Sequence, residues 1–150
     1  MNRAIYFDMD GTIANLYGVE NWLEYLVSEM TKPYRVARPL LNMRELGKEI
    51  KRLQKIGYKV GIVSWLSKNS TENYDAKVMQ AKFKWLERHI GAVKWDEIHI
   101  VKYGTPKSKV VEFPNGILFD DELNNRKEWG LGNGLAFDVD NILNILKNMH

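Results

Sequence analysis

Five short runs rich in Ile, Val, Phe or Tyr, at residues 4–7, 59–63, 97–101, 116–119 and 134–137, recur along the chain with stretches of helical period between them. Short apolar runs of this kind suit strands buried on both faces of a sheet. Strands that alternate with helices pair in parallel, because each helix carries the chain back to the edge from which the next strand starts. The expectation is an α/β fold: a five-stranded parallel sheet with helices on both faces. The helical stretches carry their own signals. Asn42, with Glu45 three residues later, makes a capping box ahead of Leu46, Ile50 and Leu53, and Gly57 stops that segment. Met79, Phe83, Leu86 and Ile90 step by four, three and four along a second helix. Asp140 caps a last one carrying Ile142, Leu143, Ile145, Leu146 and Met149.

Parallel strands all end on one edge of the sheet, and open α/β folds bind ligands there. The residues that follow the runs therefore bear most on function. They are Asp8 and Asp10 after the first, Ser64 after the second, Lys102 and Lys107 after the third, and Asp120 with Asp121 after the fourth. Residues 13–41 fit no strand. They hold one amphipathic helix, marked by Trp22, Leu23, Leu26, Val27 and Met30, and then a segment punctuated by Pro33 and Pro39. The expected organisation is one domain over residues 1–150, with 13–41 as a small helical cap insert over the active edge.

Composition narrows the chemistry. The chain has no Cys, which removes disulfides and thiolate metal sites, and its His89, His99 and His150 are too scattered to form a zinc set. Any metal must be held by oxygen. A net charge of +3 permits nucleic-acid binding without arguing for it. Lys48, Lys51, Arg52 and Lys55, and likewise Lys77, Lys82, Lys84 and Arg88, read as solvated faces of amphipathic helices. Neither a signal-peptide core nor a membrane span is visible, so the expectations are a cytoplasmic protein, no membrane and no obligate protein partner.

Several carboxylates converging on one edge repel: two unit charges ~4 Å apart interact at about 4 kcal/mol with an effective dielectric near 20. A divalent cation removes that penalty, and oxygen ligation with few protein donors is the preference of Mg²⁺. Metal plus lysine suits a phosphoryl group. Its transfer needs an in-line nucleophile, charge neutralisation on the equatorial oxygens and a proton donor for the leaving group. Asp8 or Asp10 can attack, forming an acyl phosphate that water then cleaves, while the other acts as acid and base. Ser64 and the backbone N–H of Trp65 can bind phosphoryl oxygens, and Lys107 supplies fixed positive charge.

Asp8-Met9-Asp10-Gly11-Thr12, following an apolar strand, resembles the D-x-D-G-T motif of the haloacid dehalogenase (HAD) superfamily. Ser64 at the end of Gly61-Ile62-Val63-Ser64, a Lys before the fourth strand, and Ile117-Leu118-Phe119-Asp120-Asp121 resemble its other three motifs, in order, over residues 4–121. The resemblance implies a HAD-like Rossmannoid three-layer sandwich and a Mg²⁺-dependent phosphatase. It implies Asp8 as nucleophile and metal ligand, Asp10 as general acid/base whose backbone carbonyl also binds Mg²⁺, Asp120 as direct ligand, and Asp121 on metal-bound water or orienting the site. Lys102, Lys107 and Lys109 all fall in the interval for the lysine motif. Lys107 is preferred, with Thr105 as N-cap and Pro106 as first helical residue, and Lys109 stands second.

Within such phosphatases the motifs resemble the 5′-nucleotidase and deoxyribonucleotidase branch, and polynucleotide-end phosphatases as well. The substrate expectation is a small phosphorylated molecule, a nucleotide first and a nucleic-acid end second, because Tyr17, Trp22, Tyr34, Arg35 and Arg38 on the insert suit a base and a phosphate. Trp22, Tyr25 and Trp65 are nonetheless read first as core, as are Trp85 and Trp95, while Asn124, Asn125 and Arg126 stand as candidates to orient Asp120 or Asp121. Phosphorylated receiver domains share the residue types but place their aspartate after the third strand, where this chain has Lys102. A silent interaction module on the same fold would lack the full catalytic set. No G-x-x-x-x-G-K-[ST] loop occurs.

Overall fold

The computed structural model describes residues 3–150. Five strands, β1 (Ala4–Phe7), β2 (Lys59–Trp65), β3 (Glu97–Val101), β4 (Ile117–Phe119) and β5 (Leu135–Phe137), form one sheet in the order β3-β2-β1-β4-β5. Every pairing is parallel. β1 is central and fully buried, as its unbroken apolar run requires. The strand order reverses beside β1, which makes its carboxyl end the topological switch point where a crevice opens. Phe7 pairs with Ile62 on one side and Phe119 on the other, so the residues after β1, β2 and β4 arrive level with one another.

Six helices accompany the sheet: α1 (Trp22–Val27), α2 (Lys32–Val36), α3 (Met43–Lys55), α4 (Glu72–Ile90), α5 (Leu123–Gly130) and α6 (Ile142–Lys147). Alternation along the strands divides the core. Ile5, Phe7, Val60 and Ile62 meet Leu46, Ile50 and Leu53 of α3, Trp85, Leu86 and Ile90 of α4, and Ile142 and Leu146 of α6. Ala4, Tyr6, Val63 and Leu118 face the other way, onto Val111 and Trp129 of α5. The result is the expected three-layer α/β Rossmann-like sandwich.

Asn42 caps α3 by accepting from the Glu45 backbone N–H at 3.1 Å. Elsewhere the details differ from the sequence reading. β2 runs two residues further than 59–63, because Ser64 and Trp65 still pair with Ile100 and Val101. Helix α6 starts after Asn141 rather than from an Asp140 cap. The stripe on α4 is rotated: Tyr74, Val78, Ala81, Lys82, Trp85, Leu86 and Ile90 are buried, whereas Met79 and Phe83 are exposed. Two apolar stripes overlap on this helix, and the one that wins carries a lysine, which period counting scores as polar.

Residues 13–41 form a short 3₁₀ turn at Leu16–Gly18 and then two helices, α1 and α2, in place of one continuous helix through Met30. Glu29, in the left-handed region at φ 56°, breaks the segment. Its ends are tied together by Asn15 N–H to Arg38 O at 2.8 Å and Leu40 N–H to Ile13 O at 2.9 Å. Among the described residues no helix is long and apolar enough to cross a membrane.

Candidate active site

Asp8 emerges from the central strand with its backbone N–H still on Phe119 O at 3.0 Å, and Asp120 leaves β4 with its N–H on Phe137 O at 3.1 Å. The ladder thereby sets the two carboxylates side by side. Lys107 lies between them. Its Nζ donates to Asp8 Oδ1 at 3.0 Å and Asp120 Oδ2 at 2.7 Å, with the side chain only 2% exposed. Lys102 and Lys109 are exposed. Lys107 is delivered by a 3₁₀ turn, Lys107–Lys109, rather than by the first turn of an α-helix; Pro106 precedes the turn, and Thr105 donates its hydroxyl to Lys102 O at 2.7 Å instead of capping.

The turn after β1 is wound tightly around Met9 O, which accepts from the N–H groups of Thr12, Ile13 and Ala14 at 2.9–3.1 Å. Gly11 takes φ +80° in this turn, and a Cβ there would stand 2.3 Å from Asp121 Oδ2. Glycine is therefore required both by conformation and by the approach of Asp121. The Thr12 hydroxyl lies within reach of Asp8 Oδ2 at 3.2 Å and Asp121 Oδ1 at 3.4 Å, and shares its one proton between them. Asn125 Nδ2 donates to Asp120 Oδ2 at 3.2 Å, and Arg126 holds the Asp120 carbonyl at 3.0 Å, while Asn124 is exposed.

Asp8, Asp120 and Asp121 each offer an oxygen, all within 4.8 Å of one another. One lysine does not balance three carboxylates. Asp120 is pushed up to about 6, by burial first and then by the charge of Asp8, against the pull of Lys107. Asp121 is pushed up to about 8, again by burial first and Asp8 next. A buried, all-oxygen cluster short of positive charge is the environment a hard divalent cation fits, and Mg²⁺ matches the small number of protein donors. Asp10 is not in this group: its carboxylate turns to Lys82 at 2.8 Å.

Lys82 is the residue the sequence reading missed. Assigned to a solvated face, it is 1% exposed. Its Nζ donates to Asp10 Oδ2 and Ser64 Oγ, both at 2.8 Å, and to Trp65 O at 2.7 Å. The signal was present: Lys82 lies four residues after Val78 and three before Trp85, on the stripe that packs against the sheet. Ser64 is fully buried on the same sheet face as Val60 and Ile62, which is why α4 reaches it.

A cavity of about 560 Å³ opens beside these groups, lined by Asp8, Asp10, Asp121, Lys107 and Asn125 together with aromatic and apolar side chains. Tyr17 and Trp22 meet edge to face at 4.9 Å on the insert side, and Trp65 and Tyr103 lie 4.8 Å apart on the other. Trp65 is braced by its indole N–H on Thr105 O at 2.8 Å, and Lys68 sits 5.8 Å over the Tyr103 ring. Trp22 and Trp65 are thus half-buried wall residues, not core. Tyr34 lines the cavity, whereas Arg35 and Arg38 are exposed and outside it.

Fold and site together define a Rossmann-like α/β domain with a carboxylate and lysine centre at the carboxyl edge of its sheet. No family model and no curated protein matches the chain. Solved structures do. The D,D-heptose 1,7-bisphosphate phosphatase from Burkholderia thailandensis superposes with a TM-score of 0.55 at 16% identity, covering 89% of this chain and 75% of that one. A HAD family enzyme from Bacteroides thetaiotaomicron gives a TM-score of 0.45 at 10% identity, covering 91% of this chain and 93% of that one. At such identity the first similarity establishes a shared fold, the parallel α/β sandwich described above, and nothing finer.

Proposed function

We propose that this protein is a Mg²⁺-dependent phosphomonoester hydrolase that works through an aspartyl-phosphate on Asp8, with a nucleotide as substrate. The observation that carries the reading is Lys107, buried and bonded to both Asp8 and Asp120 at the floor of the cavity, beside a cluster of oxygens that fits a divalent cation.

Asp8, Asp120 and Asp121 would hold the ion, with the Asp10 backbone carbonyl completing the protein's share. Bound there, Mg²⁺ supplies charge neutralisation on the phosphoryl oxygens. The chain's residues account for the rest. A carboxylate oxygen of Asp8 attacks phosphorus in line as the bond to the leaving oxygen breaks, and Asp10 passes its proton to that oxygen. Burial raises the affinity of Asp10 for a proton, with Lys82 pulling the other way and Asp8 adding to the rise, the direction a proton donor needs. In the second half Asp10 takes a proton from water, the water oxygen bonds to phosphorus, and the phosphorus–oxygen bond to Asp8 breaks. Ser64 and the Trp65 N–H are the proposed donors to the phosphoryl oxygens, and Lys107 would hold Asp8 in line.

The nucleotide is favoured by the two aromatic walls, Tyr17–Trp22 and Trp65–Tyr103, which present flat apolar surface above the reacting centre. Phosphate release from nucleoside monophosphates, 3′-phosphorylated oligonucleotides and sugar phosphates, with Mg²⁺ or EDTA, tests the reading in wild type and Asp8→Asn. Mg²⁺-dependent turnover, fastest on mononucleotides and abolished by the substitution, is the expected result. Equal rates on nucleotides and sugar phosphates would remove the nucleotide, and a folded protein inactive on all three classes would remove the hydrolase.

A further inference from the structure

We propose that Lys82 is a positioning residue for Asp10: it fixes the carboxyl group that exchanges protons with the leaving oxygen. The inference rests on the hydrolase reading above and adds to it a residue outside the four motifs.

Lys82 lies in the middle of α4, at a site flanked by Val78, Ala81, Trp85 and Leu86 that an apolar side chain would fill without desolvating a charge. Burying an ammonium is costly unless its partners compensate, so its presence is not explained by packing. Its three acceptors, Asp10 Oδ2, Ser64 Oγ and Trp65 O at 2.7–2.8 Å, take all three donors that an ammonium has. None is left for a ligand. Lys82 therefore acts on the groups of the site and not on the substrate.

The three acceptors are informative as a set. Asp10 sits on the turn after β1, and one of its oxygens is pinned to α4, a rigid helix of 19 residues. Ser64 Oγ accepts from the same ammonium, which fixes the lysine between β2 and the turn. Trp65 O ties the end of β2 to the same point. Tyr34 of the insert closes the arrangement, with Lys82 Nζ 5.2 Å from its ring centre and its hydroxyl on Ser67 Oγ.

The consequence is selective. Proton donation matters for an ester whose leaving alcohol is poor and hardly at all for one that departs as a stable anion. The test compares kcat/KM of wild type and Lys82→Met on an alkyl phosphate and on p-nitrophenyl phosphate. The expected result is a loss of about 10²–10⁴-fold on the alkyl ester and less than about tenfold on the nitrophenyl ester. A merely structural lysine would lower both equally, and an equal loss, or none, overturns the inference. Should Lys82→Met fail to fold, Asp10→Asn is compared with Asp10→Asn/Lys82→Met, which removes both members of the ion pair. The proposal expects the same ratio of rates on the two esters in both proteins; a further selective loss in the double variant overturns it. Wild type inactive on both esters and on all three phosphoester classes named above defeats the hydrolase reading itself, and this inference with it, whereas an active wild type with uniformly impaired Lys82→Met defeats this inference alone.

Discussion

Lys107 and Gly11 show how much of the site depends on single residues. Removing one partner of a buried ion pair leaves the others uncompensated, at about 3–5 kcal/mol. Lys107→Met should therefore lose its activity and, in urea unfolding without Mg²⁺, lose roughly that much stability. Asp8→Asn removes a negative charge from a crowded site and leaves Lys107 on Asp120, so its stability should change far less. Equal destabilisation by the two substitutions would contradict this charge accounting. Gly11→Ala asks for a left-handed backbone at φ +80° and drives a methyl into Asp121, which strain of about 1–3 kcal/mol accompanies. Its expected signature is a higher Mg²⁺ concentration for half-maximal activity, with the substrate KM little altered.

At the scale of elements, the strand ends were legible because a parallel sheet brings them to one edge whatever its strand order, and Asp8, Ser64 and Asp120 needed nothing more. Lys82 was not legible, since a lysine on an apolar stripe looks like the stripe's border until its acceptors are known. Nor was the 3₁₀ turn carrying Lys107, where Thr105 and Pro106 mimic a helix start. A second device was equally silent. Tyr6 reaches from β1 across β2 to Glu97 on β3, its hydroxyl on Glu97 Oε2 at 2.5 Å, and Gly61 makes room: a Cβ there would stand 3.0 Å from the Tyr6 ring. Burial raises the proton affinity of Glu97, but hydrogen bonds from Tyr6, His99 and the Glu112 N–H outweigh it, and the carboxyl is held below its ordinary 4.5. A depressed acid stabilises the fold above its unfolded value, and that contribution is lost as pH falls through the lower folded one. Thermal unfolding should accordingly show a steeper loss of stability below about pH 4.5 in wild type than in Glu97→Gln; superimposable acid limbs would rule the device out.

For the whole molecule, the decisive feature is that the cavity belongs to no single part of the chain. Residues 13–41 form one wall, and they are fastened to the α4 side of the sheet by Glu29 on the Thr71 N–H and hydroxyl, both at 2.9 Å, by Tyr74 to Met30 O at 2.8 Å and by Trp85 to Ala37 O at 2.8 Å. The sequence showed that an insert existed but not these tethers, which join residues more than 40 positions apart and leave no local pattern. The floor is equally composite, since Asp8 comes from β1 and Asp120 and Asp121 follow β4. An ion held there bridges segments over 100 residues apart in sequence, and the unfolded chain has no such site. On the proposed reading, Mg²⁺ held there stabilises the folded state by mass action, about 2.7 kcal/mol at one hundred times its dissociation constant. For a domain of this size that corresponds to a rise of about 5–10 °C in Tm, growing with the logarithm of Mg²⁺ concentration once the site is saturated. Calorimetry of the metal-free protein titrated with MgCl₂, against NaCl at matched ionic strength, measures it. Asp8→Asn should lose most of the rise while remaining folded. A Tm that follows ionic strength alone would mean that Lys107 and the two raised aspartates already balance the site, and that the cluster holds no ion.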